Sequence, residues 1–112
     1  MTKDLLGSPI RRWRGDTAPD QIVLSGRAVD GFEFTLTVSS PRDPDNSSTP
    51  VAQIAGVIVH AGPPGIVRFP WTVTDADQQP GRYWYDIEQR DGAGRVLTIA
   101  KNAYLFVQDI TK

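Results

Sequence analysis

Apolar and polar residues alternate along several short stretches of the chain, and a period of two predicts strands with one buried face. In Phe32-Glu33-Phe34-Thr35-Leu36-Thr37-Val38-Ser39 the alternation gathers Phe32, Phe34, Leu36 and Val38 on one side. Arg82-Tyr83-Trp84-Tyr85-Asp86-Ile87-Glu88-Gln89 repeats it with Tyr83, Tyr85 and Ile87 inward. Another strand is predicted over 95–99, and Asp91-Gly92-Ala93-Gly94 between the two is a hairpin signal. Less sharply patterned strands fall at 9–14, 21–27, 52–60, 66–72 and 103–110. In the last, Tyr104, Leu105, Phe106 and Val107 make both faces apolar, as in a central strand or one covered by another subunit.

Nine prolines separate these pieces. A proline costs a helix interior about 3 kcal/mol, so long helices are not expected. Segment 40–50 is polar and proline-rich and reads as an exposed, mobile loop; residues 1–8 read as a flexible N-terminal arm. Thr74-Asp75-Ala76-Asp77 predicts a single helical turn capped by Thr74. Eight short strands with turns between them predict one all-β domain over residues 1–112. Its expected architecture is an immunoglobulin-like antiparallel β-sandwich of about 7–8 strands, with a barrel as the second choice.

Composition narrows the chemistry. The absence of cysteine removes thiolate metal sites, thiol nucleophiles and disulfide staples, and favours synthesis in a reducing cytosol. Twelve Lys and Arg against 13 Asp and Glu leave no field to recruit nucleic acid or an anionic membrane. The first residues lack the apolar run of a signal peptide, and Val57-Ile58-Val59 is too short to span a bilayer. The lone His60 falls at a strand end before Ala61-Gly62-Pro63-Pro64, where a loop-edge role is expected. Neither Asp43 with Asp45 nor Asp75 with Asp77 has the spacing of a calcium loop. No phosphate loop, dinucleotide fingerprint or nucleophile elbow occurs. No catalytic, cofactor-binding or metal-binding residue is therefore expected, and the protein reads as a non-enzyme.

The turn Asp77-Gln78-Gln79-Pro80-Gly81 leads into Arg82-Tyr83-Trp84-Tyr85. Immunoglobulin-like sandwiches place a tyrosine there whose hydroxyl bonds upstream backbone, and Tyr83 is the expected tyrosine corner. Trp84 should then face away from the core, as an interface anchor or under a neighbouring Arg. Trp13 lies in Arg11-Arg12-Trp13-Arg14, which predicts a charge-protected edge strand or the rim of an interface. Trp84, Trp13, Arg11, Arg12 and Arg14 are the candidate contact residues. Arg14-Gly15-Asp16 spells an adhesion tripeptide but reads as ordinary turn chemistry.

The C-terminal half carries Gly65-Ile66-Val67-Arg68-Phe69, Thr74-Asp75-Ala76-Asp77, Pro80-Gly81-Arg82-Tyr83-Trp84-Tyr85-Asp86-Ile87 and Asp91-Gly92-Ala93-Gly94-Arg95. Thr98-Ile99 follows, with Phe106-Val107-Gln108-Asp109-Ile110-Thr111 at the close and Arg14-Gly15-Asp16-Thr17 near the start. Over residues 10–112 this pattern resembles small immunoglobulin-like proteins of tailed-phage virions, similar to the N-terminal domain of phage baseplate upper proteins. The resemblance implies a structural protein of the tail, baseplate or neck, or a capsid decoration protein, made in the host cytoplasm and assembled into the virion. Its implied partners are other virion proteins and symmetric copies of itself, with no nucleic acid and no membrane. The alternative is a carbohydrate- or ligand-binding sandwich, with Trp71 or Trp84 stacking on a sugar ring.

Overall fold

The computed structural model describes residues 8–39 and 50–107. The elements run β1 (Ile10–Trp13), β2 (Asp20–Leu24), β3 (Glu33–Ser39), β4 (Ala52–Ala55), β5 (Val57–His60), β6 (Gly65–Phe69), α1 (Val73–Ala76), β7 (Gly81–Arg90) and β8 (Val96–Val107). They form two sheets, one ordered β1-β8-β7-β3-β4 and the other β2-β6-β5. This is an all-β sandwich of immunoglobulin-like topology. The expected N-terminal arm up to Gly7, most of the 40–50 loop with Asp43 and Asp45, and the predicted strand end at 108–110 lie outside the described residues.

Alternation gives each sheet its inner face. Ile22, Leu24, Val67 and Phe69 from the three-stranded sheet join Phe34, Leu36, Val38, Tyr85, Ile87, Tyr104 and Phe106 from the other in one buried cluster. Aromatic rings meet edge to face within it, with Tyr83–Phe106 centroids 5.1 Å apart and Tyr85–Tyr104 centroids 6.1 Å apart.

Four local readings are corrected. Segment 52–60 is not one strand, because the chain changes sheets at Gly56. A Cβ there would lie 2.8 Å from Val67 Cγ1 and 2.9 Å from Phe69 Cε1, so only glycine fits without displacing the core. Segments 95–99 and 103–110 are not two strands, since β8 runs unbroken from Val96 to Val107. Ile87 pairs with Ala100 and Glu88 with Thr98, which leaves Ile99 as a bulge that shifts the phase of the alternation. The sheets are not wholly antiparallel either: β1 runs parallel to β8, with Ile10 opposite Tyr104 and Trp13 opposite Val107. The helical turn is capped by Thr72, not Thr74, its hydroxyl accepting from the Asp75 N–H at 3.1 Å.

Other local expectations match the coordinates. Residues 91–95 close the β7–β8 hairpin, with Asp91 Oδ1 accepting from the backbone of Ala93 and Arg95 at 2.9 Å. The two-sided apolar stretch at 104–107 belongs to a central strand, β8 lying between β1 and β7.

Candidate interaction surface

The candidate contact residues divide according to the face of β1 that each occupies. Ile10 and Arg12 point inward and Arg11 and Trp13 outward, following strand alternation. Arg12 is only 4% exposed, so the expectation that it forms external contacts is overturned. Its guanidinium lies 3.0 Å from Asp20 Oδ1 and donates to Tyr104 Oη at 2.8 Å and to the Asp16 carbonyl at 2.6 Å. It also stacks over Trp71 at 4.5 Å from the ring centroid. Asp20 Oδ2 in turn accepts from Tyr104 Oη at 2.6 Å and from Trp71 Nε1 at 2.9 Å. A buried charge needs a counter-charge and hydrogen-bond partners; Asp20 supplies the first, and the Tyr104 hydroxyl and the Asp16 carbonyl supply the rest. The network joins β1 and β8 of one sheet to β2 of the other.

Low polarity perturbs Tyr104 of the network and Tyr85, whose ring packs against it. Burial, with the Asp20 carboxylate nearby, pushes the Tyr104 phenol far above the ordinary tyrosine range. The same two causes, burial first, push Tyr85 up to about 12. Trp71 is buried here, so it is no platform for a sugar ring.

Arg14 does not join Arg12 inside. It follows β1 and pairs with Asp77 at 2.9 Å, both side chains well exposed. The Arg14-Gly15-Asp16 tripeptide is a turn: Gly15 has φ 84°, Asp16 N–H donates to the Trp13 carbonyl at 3.0 Å, and Asp16 Oδ1 accepts from Ala18 N–H at 3.0 Å. His60 closes β5, its Nδ1 2.9 Å from the Pro64 carbonyl oxygen.

Tyr83 points into the core and its hydroxyl donates to the Gln79 carbonyl at 2.8 Å, four residues upstream. Trp84 consequently lies on the outer face of the five-stranded sheet, half-buried, with the Arg82 guanidinium 5.7 Å from its ring centroid. The register extends that face. Trp84 is opposite Ala103 on β8, Arg82 opposite Leu105, Arg11 opposite the same Leu105, and Trp13 opposite Val107. Trp84, Trp13 and Arg11 are therefore brought onto one face, across a half-buried strip of Leu105 and Val107. Asp86 shares this face, and its carboxyl is raised by desolvation and by Glu88, against the opposing effect of Lys101.

A second surface was not anticipated. Every residue of β5 is exposed, with Val57 at 54%, Ile58 at 37% and Val59 at 47%. The signal that could have found it is the glycine inside an apolar run, which marks a close backbone approach rather than a continuous strand. Among the described residues no group of three or more His, Asp or Glu is placed to hold a metal ion.

No family model and no curated protein matches the chain. Among solved structures it is similar to the solution structure of Amebosin, at 17% identity over 97% of this chain and 95% of that one. The TM-score of that likeness is 0.37, too low to carry an argument about function.

Proposed function

We propose that the protein is a non-enzymatic structural component of a bacteriophage virion. It would serve in the tail, baseplate or neck, or decorate the capsid, through contacts with other virion proteins and with symmetric copies of itself. The observation that carries the assembly reading is the outer face of the five-stranded sheet, where Trp13, Trp84 and Arg11 flank Leu105 and Val107. Aromatic and Arg anchors beside partly covered aliphatic side chains make up the composition that protein interfaces favour. The virion setting rests on the sequence resemblance to baseplate upper proteins. A sugar-binding role has less support, because Trp71 is buried and hydrogen-bonded to Asp20.

Immunogold electron microscopy of particles from a producing culture, with antibody raised against this chain, tests the proposal. Label at the tail tip or neck is expected for a baseplate or connector component, and an even coat on the head for a decoration protein. Particles that carry no label would refute the virion role.

A further inference from the structure

We propose that the strip of β8 between Arg11 and Arg82 receives an acidic segment of a partner protein, with the two arginines as its carboxylate receptors. The inference rests on the assembly reading above and adds the chemistry of the partner on that face. Charge matching along the outer face of the five-stranded sheet stops at this strip. Further along the strands, Asp86 stands opposite Lys101 and Arg90 opposite Glu33, each charge facing its complement. Arg11 and Arg82 instead face the same Leu105 from either side, and both are exposed. The described ion pairs, Arg12–Asp20, Arg14–Asp77 and Arg95–Asp91, involve other arginines. Among the described residues, therefore, neither Arg11 nor Arg82 has a carboxylate partner. Two interstrand spacings, about 10 Å, separate their backbones, and between them lies a floor of half-buried Leu105 and Val107.

That arrangement selects the sign and the class of the occupant. A neutral segment laid on Leu105 would strip water from two guanidinium groups without replacing it, and a basic one would add repulsion. An acidic segment supplies charge-assisted hydrogen bonds on both flanks of the floor. Stacking over Trp84, at 5.7 Å from the ring centroid, occupies one face of the Arg82 guanidinium and leaves its N–H edge for a carboxylate. The same stack covers the ring face on which a sugar would rest. The aliphatic floor favours a polypeptide over a nucleic acid or an anionic polysaccharide, because apolar side chains gain most from covering Leu105 and Val107. A second copy fits less well. Its outer face offers Asp86, Glu88 and Glu33 interleaved with Lys101 and Arg90, charges that largely cancel.

Titration of the isotope-labelled full chain, followed by NMR, tests the inference with defined probes. One is a short blocked peptide of glutamates around a central leucine, and the other is its lysine counterpart. The glutamate peptide should shift the Leu105 and Val107 amides and bind at least about tenfold tighter than the lysine one, weakening as salt is raised. Arg11→Glu/Arg82→Glu should weaken that binding about tenfold, and Arg11→Lys/Arg82→Lys should keep most of it, with circular dichroism unchanged in both. Equal response to the two peptides, or none to either, would overturn the inference. So would tighter binding of polyglucuronate or single-stranded DNA at the same amides. Shifts at this strip on dilution of the chain alone would assign it to a second copy and overturn the inference as well. In particles, incorporation should fall from the native chain through Arg11→Gln/Arg82→Gln to Arg11→Glu/Arg82→Glu; an equal loss in both variants would mean packing rather than charge and would refute the acidic partner. If the glutamate peptide fails while particles still bind the antibody, the partner chemistry is wrong and the virion role stands. Peptide binding with unlabelled particles would support the acidic-partner strip and remove the virion role.

Discussion

Removing Asp20 should destabilise the fold more than any surface change on the same strand. Asp20→Ala deletes the counter-charge 3.0 Å from the Arg12 guanidinium and the acceptor for Tyr104 Oη and Trp71 Nε1. Breaking a buried ion pair by removing one partner costs about 3–5 kcal/mol, because the other charge stays desolvated. The two orphaned neutral donors belong to the same network, so their losses do not add to that figure. Domains of this size are stable by about 5–15 kcal/mol, so Asp20→Ala should remain folded but lose a large share of its margin. With a urea m-value of roughly 1.5–2 kcal/mol/M, the midpoint should fall by about 2 M. The assay is equilibrium urea unfolding at neutral pH, followed by tryptophan fluorescence and circular dichroism. Arg14→Ala is the internal control: its exposed pair with Asp77 should contribute about 0–1 kcal/mol. Arg12→Met combined with Asp20→Asn should be less destabilised than the sum of the two single variants, by about 0.5–3 kcal/mol of coupling. A loss below about 1 kcal/mol for Asp20→Ala would refute the claim that this pair links the sheets.

Four further outcomes follow from the same coordinates. Tyr85 ionises at about 12 when folded against 10.0 in the unfolded chain, so the folded state holds its proton longer and stability falls as pH rises from 10 to 12. The loss attributable to Tyr85 is on the order of 2–3 kcal/mol, and Tyr85→Phe should flatten part of it in urea titrations across that window. Gly56→Val should lower stability by about 1–3 kcal/mol through overpacking against Val67, Phe69 and Phe34, as measured by thermal unfolding. Tyr83→Phe should cost about 0.5–1.5 kcal/mol by leaving the Gln79 carbonyl without its donor, seen as a lower urea midpoint. Trp84→Ala should reduce incorporation into particles, quantified by immunoblot, while circular dichroism stays unchanged; normal incorporation would remove Trp84 from the contact surface.

Sequence alone determined the fold class, because the information for it is local. The alternation in residues 32–39 and 82–89 dictates strands with one buried face, and prolines exclude long helices. The inward position of Tyr83 and the outward position of Trp84 follow from the same period. Even Arg12 was placed by it: two residues after Ile10, it shares the inner face, although its charge suggested the surface. What justifies a buried arginine is Asp20, Tyr104 and Trp71, which lie 8, 92 and 59 residues away in sequence and meet only after the sheets stack. The split at Gly56 and the bulge at Ile99 depend likewise on a facing strand, since close approach and register are properties of pairs. The exposure of β5 is also tertiary. An apolar run reads as core until the other strands have filled the interior and left this one at the edge.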